Sequence, residues 1–173
     1  MVSSLVLILA ILGQTPAQAT APAPQAVPLG ATYNPDNPFA RILAGTLSSV
    51  VVAETDTALA FMDHAPVRPG HVLVIPKSAT VSLLDSTPEQ LAGVMALARC
   101  VAIAQAAAFQ ADGMTGLSLS QNNGAPNQHV GHIHFHLVPT YAGRTFTPAA
   151  TPVPQEQLEP VAARVRAAMP ERC

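Results

Sequence analysis

Apolar and polar positions change period several times along the chain. Val50 to Glu54 and Ala58 to Met62 are short β-rich runs separated by Thr55, Asp56 and Thr57, a pattern that predicts a hairpin. The run HVLVIP, His71 to Pro76, follows the turn segment PVRPG and has no polar alternation, so it predicts a strand buried on both faces. After Thr87 the period becomes helical. Thr87, Pro88, Glu89 and Gln90 form a capping box with proline at the first helical position, and helix formers continue to Phe109 before Asp112 and Gly113 end the run. Asn37 and Pro38 open a shorter helix that reaches Ala44 and stops at Gly45. Leu117 and Leu119 alternate with Ser118 and Ser120 as a fourth strand, and Val130 to Val138 forms a fifth. Helix, three strands, helix, two strands predicts an α+β domain on a mainly antiparallel five-stranded sheet.

The segments outside this pattern divide the chain. Residues 1–19 hold an unbroken apolar run from Leu5 to Leu12 followed by Ala17, Gln18 and Ala19, which predicts a secretory signal peptide cut after Ala19. Export to a periplasmic or extracellular space follows from it. Residues 20–36 are rich in proline, whose fixed φ and missing donor suit a tether. The domain itself is read as residues 37–144, and residues 145–173 as a Pro-rich tail with a short helix from Pro160 to Met169. The long helix carries Leu91, Val94, Met95, Leu97, Ala98, Val101, Ala102 and Ile103, an apolar surface wider than the roughly 100° stripe that one sheet covers. A second burial partner is implied, and a homodimer contact is expected.

Composition then excludes classes of partner. The 173 residues fit one domain with a core. Only 10% are charged, with one lysine (Lys77), seven arginines and a net charge of -2, so no basic face exists to hold a nucleic-acid backbone. Within the mature chain no run reads as the roughly 20 apolar residues of a spanning helix, so no stable membrane insertion is expected after signal cleavage. The two cysteines, Cys100 and Cys173, are too few for a disulfide scaffold or an all-cysteine zinc site. In an oxidising compartment they could pair, closing a separation of 73 residues (173 minus 100) and stabilising by roughly 4 kcal/mol.

Four of the six histidines lie between His129 and His136 in QHVGHIHFHLVP. On a strand, His132, His134 and His136 share one face while Ile133, Phe135 and Leu137 fill the other. Two chemistries compete for such a ladder. Neighbouring members about 6.6 Å apart at Cα could chelate a metal, but the outer pair stands about 13 Å apart, an awkward span for one zinc with ligands near 2 Å. Alternatively, a neutral imidazole attacks phosphorus at pH 7 and the N-phosphoryl imidazolium leaves well, so one histidine serves both half-reactions.

His-Ile-His-Phe-His-Leu-Val, His132 to Val138, resembles the signature of the histidine triad (HIT) family. FARILAG (Phe39 to Gly45), LAFMDHAPVRPGHVLVIPK (Leu59 to Lys77) and QNNGAPNQHVGHIHFHLVP (Gln121 to Pro139) are similar to the family's opening helix, ribose-side strand and phosphate loop, in that order. The resemblance implies a HIT-like fold and a purine nucleotide substrate, with His134 as a nucleophile on the α-phosphate and no cofactor. It implies that His132 orients His134 through its backbone carbonyl, that His136 and His71 contact phosphate oxygens, and that Asp63 binds the ribose hydroxyls. Asn122 and Gln128 match polar positions around the phosphates, and Phe39, Ile42 and Leu43 would lie against the base. Many relatives carry a structural zinc on Cys-x-x-Cys where this chain has Asn37 and Ala40, so no structural metal is expected. His129 stands where a small hydroxyl residue is usual, as a candidate leaving-group acid or a solvated side chain, and His64 is expected to be a bystander. The readings left open are a nucleoside phosphoramidase, a dinucleoside polyphosphate hydrolase, an exported nucleotide binder without turnover, and a histidine-ladder metal binder.

Overall fold

A computed structural model of the chain describes residues 26–146 and 152–172. The expected signal peptide, the first residues of the expected tether and Cys173 lie outside the described residues. Helix α1 (Pro38–Leu43) begins where Asn37 Oδ1 accepts hydrogen bonds from the Phe39 and Ala40 amides, and Gly45 leaves it with φ 71°. Strands β1 (Val51–Glu54), β2 (Ala58–Met62) and β3 (Val72–Pro76) follow, then α2 (Pro88–Phe109), β4 (Met114–Gln121), β5 (Phe135–Tyr141) and α3 (Gln155–Ala167). Both halves of the expected capping box are present on α2: Thr87 Oγ1 accepts from the Gln90 amide, and Gln90 Oε1 accepts from the Thr87 amide.

The five strands form one antiparallel sheet in the order β1-β2-β3-β5-β4. Its two faces are covered differently. On one, Val52, Ala60, Val72, Val74 and Leu137 pack against Val94, Leu97, Val101 and Ala104 of α2. On the other, Leu59, Phe61, Leu73 and Ile75 meet Phe39, with Ile42 and Leu43 of α1 half-buried beside them. The α2 side is a fully packed interior, whereas the α1 side leaves room for a cleft.

The structure changes several expectations. The second partner of α2 within the chain is α3, whose Leu158, Ala162 and Val165 are buried in the same core. Arg164 anchors it, bonding Asp112 and the Ala108 carbonyl and standing over the Phe109 ring. Helix α3 starts five residues before Pro160, because the bond a proline removes falls on the carbonyl of Glu156 in the exposed first turn. By length and composition α2 with its following turn, Pro88–Asp112, is apolar enough to cross a membrane, with an 18-residue stretch of mean hydropathy 1.7, contrary to the reading of the sequence; here Val94, Leu97, Val101 and Ala104 are buried in the core while Ile103 is exposed. Residues 26–36, expected as tether, lie against the domain, with the Val27 amide donating to the Gln128 carbonyl at 2.7 Å. Cys100 is buried and disulfide-bonded.

Candidate active site

The triad strand begins later than its sequence suggests. Only His136 sits within β5, paired with Leu73 of β3 and Ser120 of β4; His132 and His134 lie in the extended segment before it, where the Ile133 amide bonds the Thr80 carbonyl at 2.9 Å. The side chains still alternate, with Ile133, Phe135 and Leu137 in the α2 core and the imidazoles on the α1 face. Depth separates them. His134 and His136 line a cleft of about 750 Å³ together with Phe39, Ile42, Phe61, Leu73 and Asp63, whereas His132 is fully buried behind it.

Hydrogen bonds to carbonyls fix the ring tautomers, because a carbonyl only accepts. His132 Nε2 lies 2.9 Å from the Pro76 carbonyl, so Nε2 carries the proton and Nδ1 is a bare acceptor, taken by the Tyr33 hydroxyl at 2.8 Å. His134 Nδ1 lies 2.7 Å from the His132 carbonyl, so Nδ1–H donates and Nε2 keeps its lone pair. Burial lowers both groups from 6.5 to about 4, so both rings are neutral at pH 7. The Phe39 ring stands edge-on to His134 at 5.2 Å between centroids. A neutral imidazole with one nitrogen anchored and the other bare is the form a nucleophile requires.

Asp63 follows β2, and its amide donates to the carbonyl of His71, the residue before β3, at 3.1 Å. Its Oδ1 accepts from the Ala65 amide, and its Oδ2 lies 3.3 Å from His71 Nδ1. His71 Nε2 in turn is 2.9 Å from His136 Nδ1. Burial lowers both His71 and His136; Asp63 opposes this in each case, while the neighbouring imidazole deepens it for His136. These three residues bring ligand atoms within 4.8 Å of one another and are the described group able to hold a divalent ion. Within the group His71 Nε2 is joined to His136 Nδ1, and the Val67 and Ala65 amides donate to His71 Nδ1 and Asp63 Oδ1. Behind them, buried Gln105 of α2 donates to the Gly70 carbonyl at 2.7 Å and the Leu137 carbonyl at 3.4 Å, bracing the backbone beside both His71 and His136.

The other expected site residues divide. Asn122 lines the cleft with His129 and Asn127, and so does His64, 3.7 Å from Asp63. Gln128 does not: it is buried, accepting from the Gly124 amide and donating to the Val81 and Val130 carbonyls, so it braces the loop before His132 from within. His71 is buried behind Asp63 and His136 and does not line the cleft, and Leu43 packs behind Phe39. Asn37 spends its side chain on the α1 cap, and Ala40 offers no donor to a metal. The sequence reading did not foresee the wall formed by Pro152, Val153, Pro154, Gln155 and Leu158, fastened by the Val153 amide to the His64 carbonyl and by Gln155 to Ser48.

Residues 44–143 match the HIT domain family model, more than half of the chain. The chain belongs to the histidine triad family. This HIT protein is 38% identical over 125 residues to an uncharacterised HIT-like protein of Azospirillum brasilense, covering 69% of this chain and 96% of that protein. It is 36% identical over 102 residues to the adenosine 5'-monophosphoramidase of Schizosaccharomyces pombe, covering 58% of this chain and 71% of that one. A crystal structure of a HIT-like protein involved in cell-cycle regulation from Bartonella henselae, with an unknown ligand, superposes with a TM-score of 0.74 at 39% identity, over 80% of this chain and all of that one. The five-stranded antiparallel sheet and single long helix are those of HIT-like structures, a nucleotide-binding and hydrolase superfamily.

Proposed function

We propose that this HIT protein cleaves a nucleoside monophosphate from an amine leaving group through a covalent nucleotidyl-histidine on His134. The observation that carries the reading is the bare Nε2 of neutral His134 facing the cleft, with its other nitrogen anchored on the His132 carbonyl. In the first half-reaction Nε2 attacks the α-phosphorus and the bond to the leaving nitrogen breaks, the departing amine taking its proton from solvent. Water then attacks the same phosphorus and gives its proton to solvent, the phosphorus–imidazole bond breaks to return neutral His134, and the nucleoside monophosphate leaves. Phe39, Ile42, Phe61 and Leu73 supply an apolar slot for a purine base, and Asp63 an acceptor pair for the ribose diol. The volume suits one nucleotide and a modest leaving group.

Charge favours an amine over a second nucleotide. No lysine or arginine lines the cleft among the described residues, so a polyphosphate chain would find no cation to neutralise it. The test is side-by-side turnover of adenosine phosphoramidate and a diadenosine polyphosphate by wild type and His134→Ala. The reading expects faster phosphoramidate turnover, lost in the variant with AMP binding kept; turnover that survives the substitution refutes it.

Two further expectations belong to the same proposal. The unpaired edge of β4, exposed Leu119 and the groove of Ala102, Ala106, Met114 and Leu117 beside it support a homodimer, which a monomer mass by light scattering would refute. The disulfide at Cys100 supports export to an oxidising compartment, which a reduced thiol in protein isolated from its native source would refute.

A further inference from the structure

We propose that Tyr33 is a positioning residue for the nucleophile: its hydroxyl holds the His132 ring so that the His132 carbonyl stays aimed at His134 Nδ1. The inference rests on the reading of His134 as the nucleophile. The carbonyl that orients His134 belongs to a peptide outside the regular sheet, because β5 begins only at Phe135. One end of that peptide is secured by the Ile133 amide on the Thr80 carbonyl. Its remaining freedom is rotation at the His132 Cα, which the ring controls. The ring is held at both nitrogens, by the Pro76 carbonyl at 2.9 Å and by Tyr33 Oη at 2.8 Å, and it never reaches the cleft.

The two bonds to the ring differ in kind. The Pro76 carbonyl accepts from Nε2–H and belongs to β3, a fixed part of the core. Tyr33 donates to Nδ1 from residues 26–36, a segment outside every helix and strand that is tied down at the Val27 amide on the Gln128 carbonyl. Without the hydroxyl, Nδ1 is a buried acceptor with its partner removed, and the ring can satisfy it only by turning or by exchanging its proton. Either movement reaches His134 through the shared carbonyl and through Phe39, whose ring stands 6.2 Å from His132 and 5.2 Å from His134. The titratable groups facing the His132 ring are Tyr33 and His134.

Tyr33→Phe tests this, since it keeps the aromatic ring that lies edge-on to His132 at 5.5 Å and removes only the oxygen. The expected result is a fall in kcat on adenosine phosphoramidate of about fivefold, the equivalent of about 1 kcal/mol, with KM and the Kd for AMP within twofold. Nitrogen-15 NMR of His132 supplies a readout that a structural role would not move. Wild type should show a protonated Nε2 and a bare, hydrogen-bonded Nδ1, and the variant should lose the Nδ1 hydrogen-bond signature. An unchanged kcat, or an unchanged His132 spectrum in the variant, overturns the assignment. So does a wild-type His132 carrying its proton on Nδ1, a measurement that needs no variant. The NMR arm does not depend on turnover, so a failed nucleophile assignment, read from His134→Ala, is distinguishable from a failed Tyr33 assignment.

Discussion

Acid should unfold this protein through its histidines before its carboxylates. His132 and His134 titrate near 6.5 when the chain is unfolded and at about 4 in the folded state, because burial disfavours the charged rings. The folded pKa is the lower one, so between these values the unfolded chain binds more protons than the native protein. The stabilisation is therefore fully present above pH 6.5 and is lost as the pH falls toward 4. Each ring is worth up to about 3 kcal/mol over the whole window, and the pair about 4 kcal/mol by pH 5, near 1.4 kcal/mol per ring per pH unit. His71 and His136 act in the same direction. Against a total stability of about 5–15 kcal/mol this is a large share. Urea denaturation followed by far-UV circular dichroism, which suits a chain without tryptophan, measures it between pH 7.5 and 4.5 at constant ionic strength. His134→Ala should reduce the slope, by up to half if the two rings titrate independently. A free energy flat to within 1 kcal/mol from pH 7 to pH 5 would refute the burial argument. With it would go the claim that both rings are neutral because the protein excludes water from them.

Two other substitutions probe the frame of the site. Gly70 has φ +84°, and a Cβ there would stand 2.6 Å from Phe109 Cε2 and 3.1 Å from Pro139 Cγ. Gly70→Ala should therefore cost about 2 kcal/mol or more, read as a lower urea midpoint, and should slow turnover by shifting His71. Asp63→Asn keeps the shape of the side chain but removes the charge beside His71. Because an amide offers one accepting oxygen and an NH2 donor where a carboxylate offers two accepting oxygens, KM for a nucleotide substrate should rise about tenfold or more, while a deoxyribose substrate should show little change; equal effects on both would argue against the ribose contact.

Much of this frame was legible in the residues, for identifiable reasons. The capping box at Thr87 and the proline after Asn37 act through local hydrogen bonds, and both helices start where those residues place them. Period-two alternation placed the imidazoles opposite Ile133, Phe135 and Leu137. What alternation does not encode is depth. His132 and His71 face the correct side and are nonetheless buried behind His134, His136 and Asp63, because cleft access depends on what packs in front. Gln128 turns inward for a related reason: a buried loop needs its own backbone partners satisfied, and that demand takes its side-chain amide away from the cleft. The docking of Tyr33 rests on a partner 99 residues away, which proline content in its neighbourhood cannot reveal.

The cleft draws its walls from segments far apart in the sequence, with Pro38, Phe39 and Ile42 on one side and Pro152 to Gln155 and Leu158 on the other. A pocket made this way is absent from a nascent chain until position 158 has emerged and folded back. A molecule bound there clasps early-made and late-made segments to each other, so occupancy should tighten both segments at once and leave the central sheet unaltered.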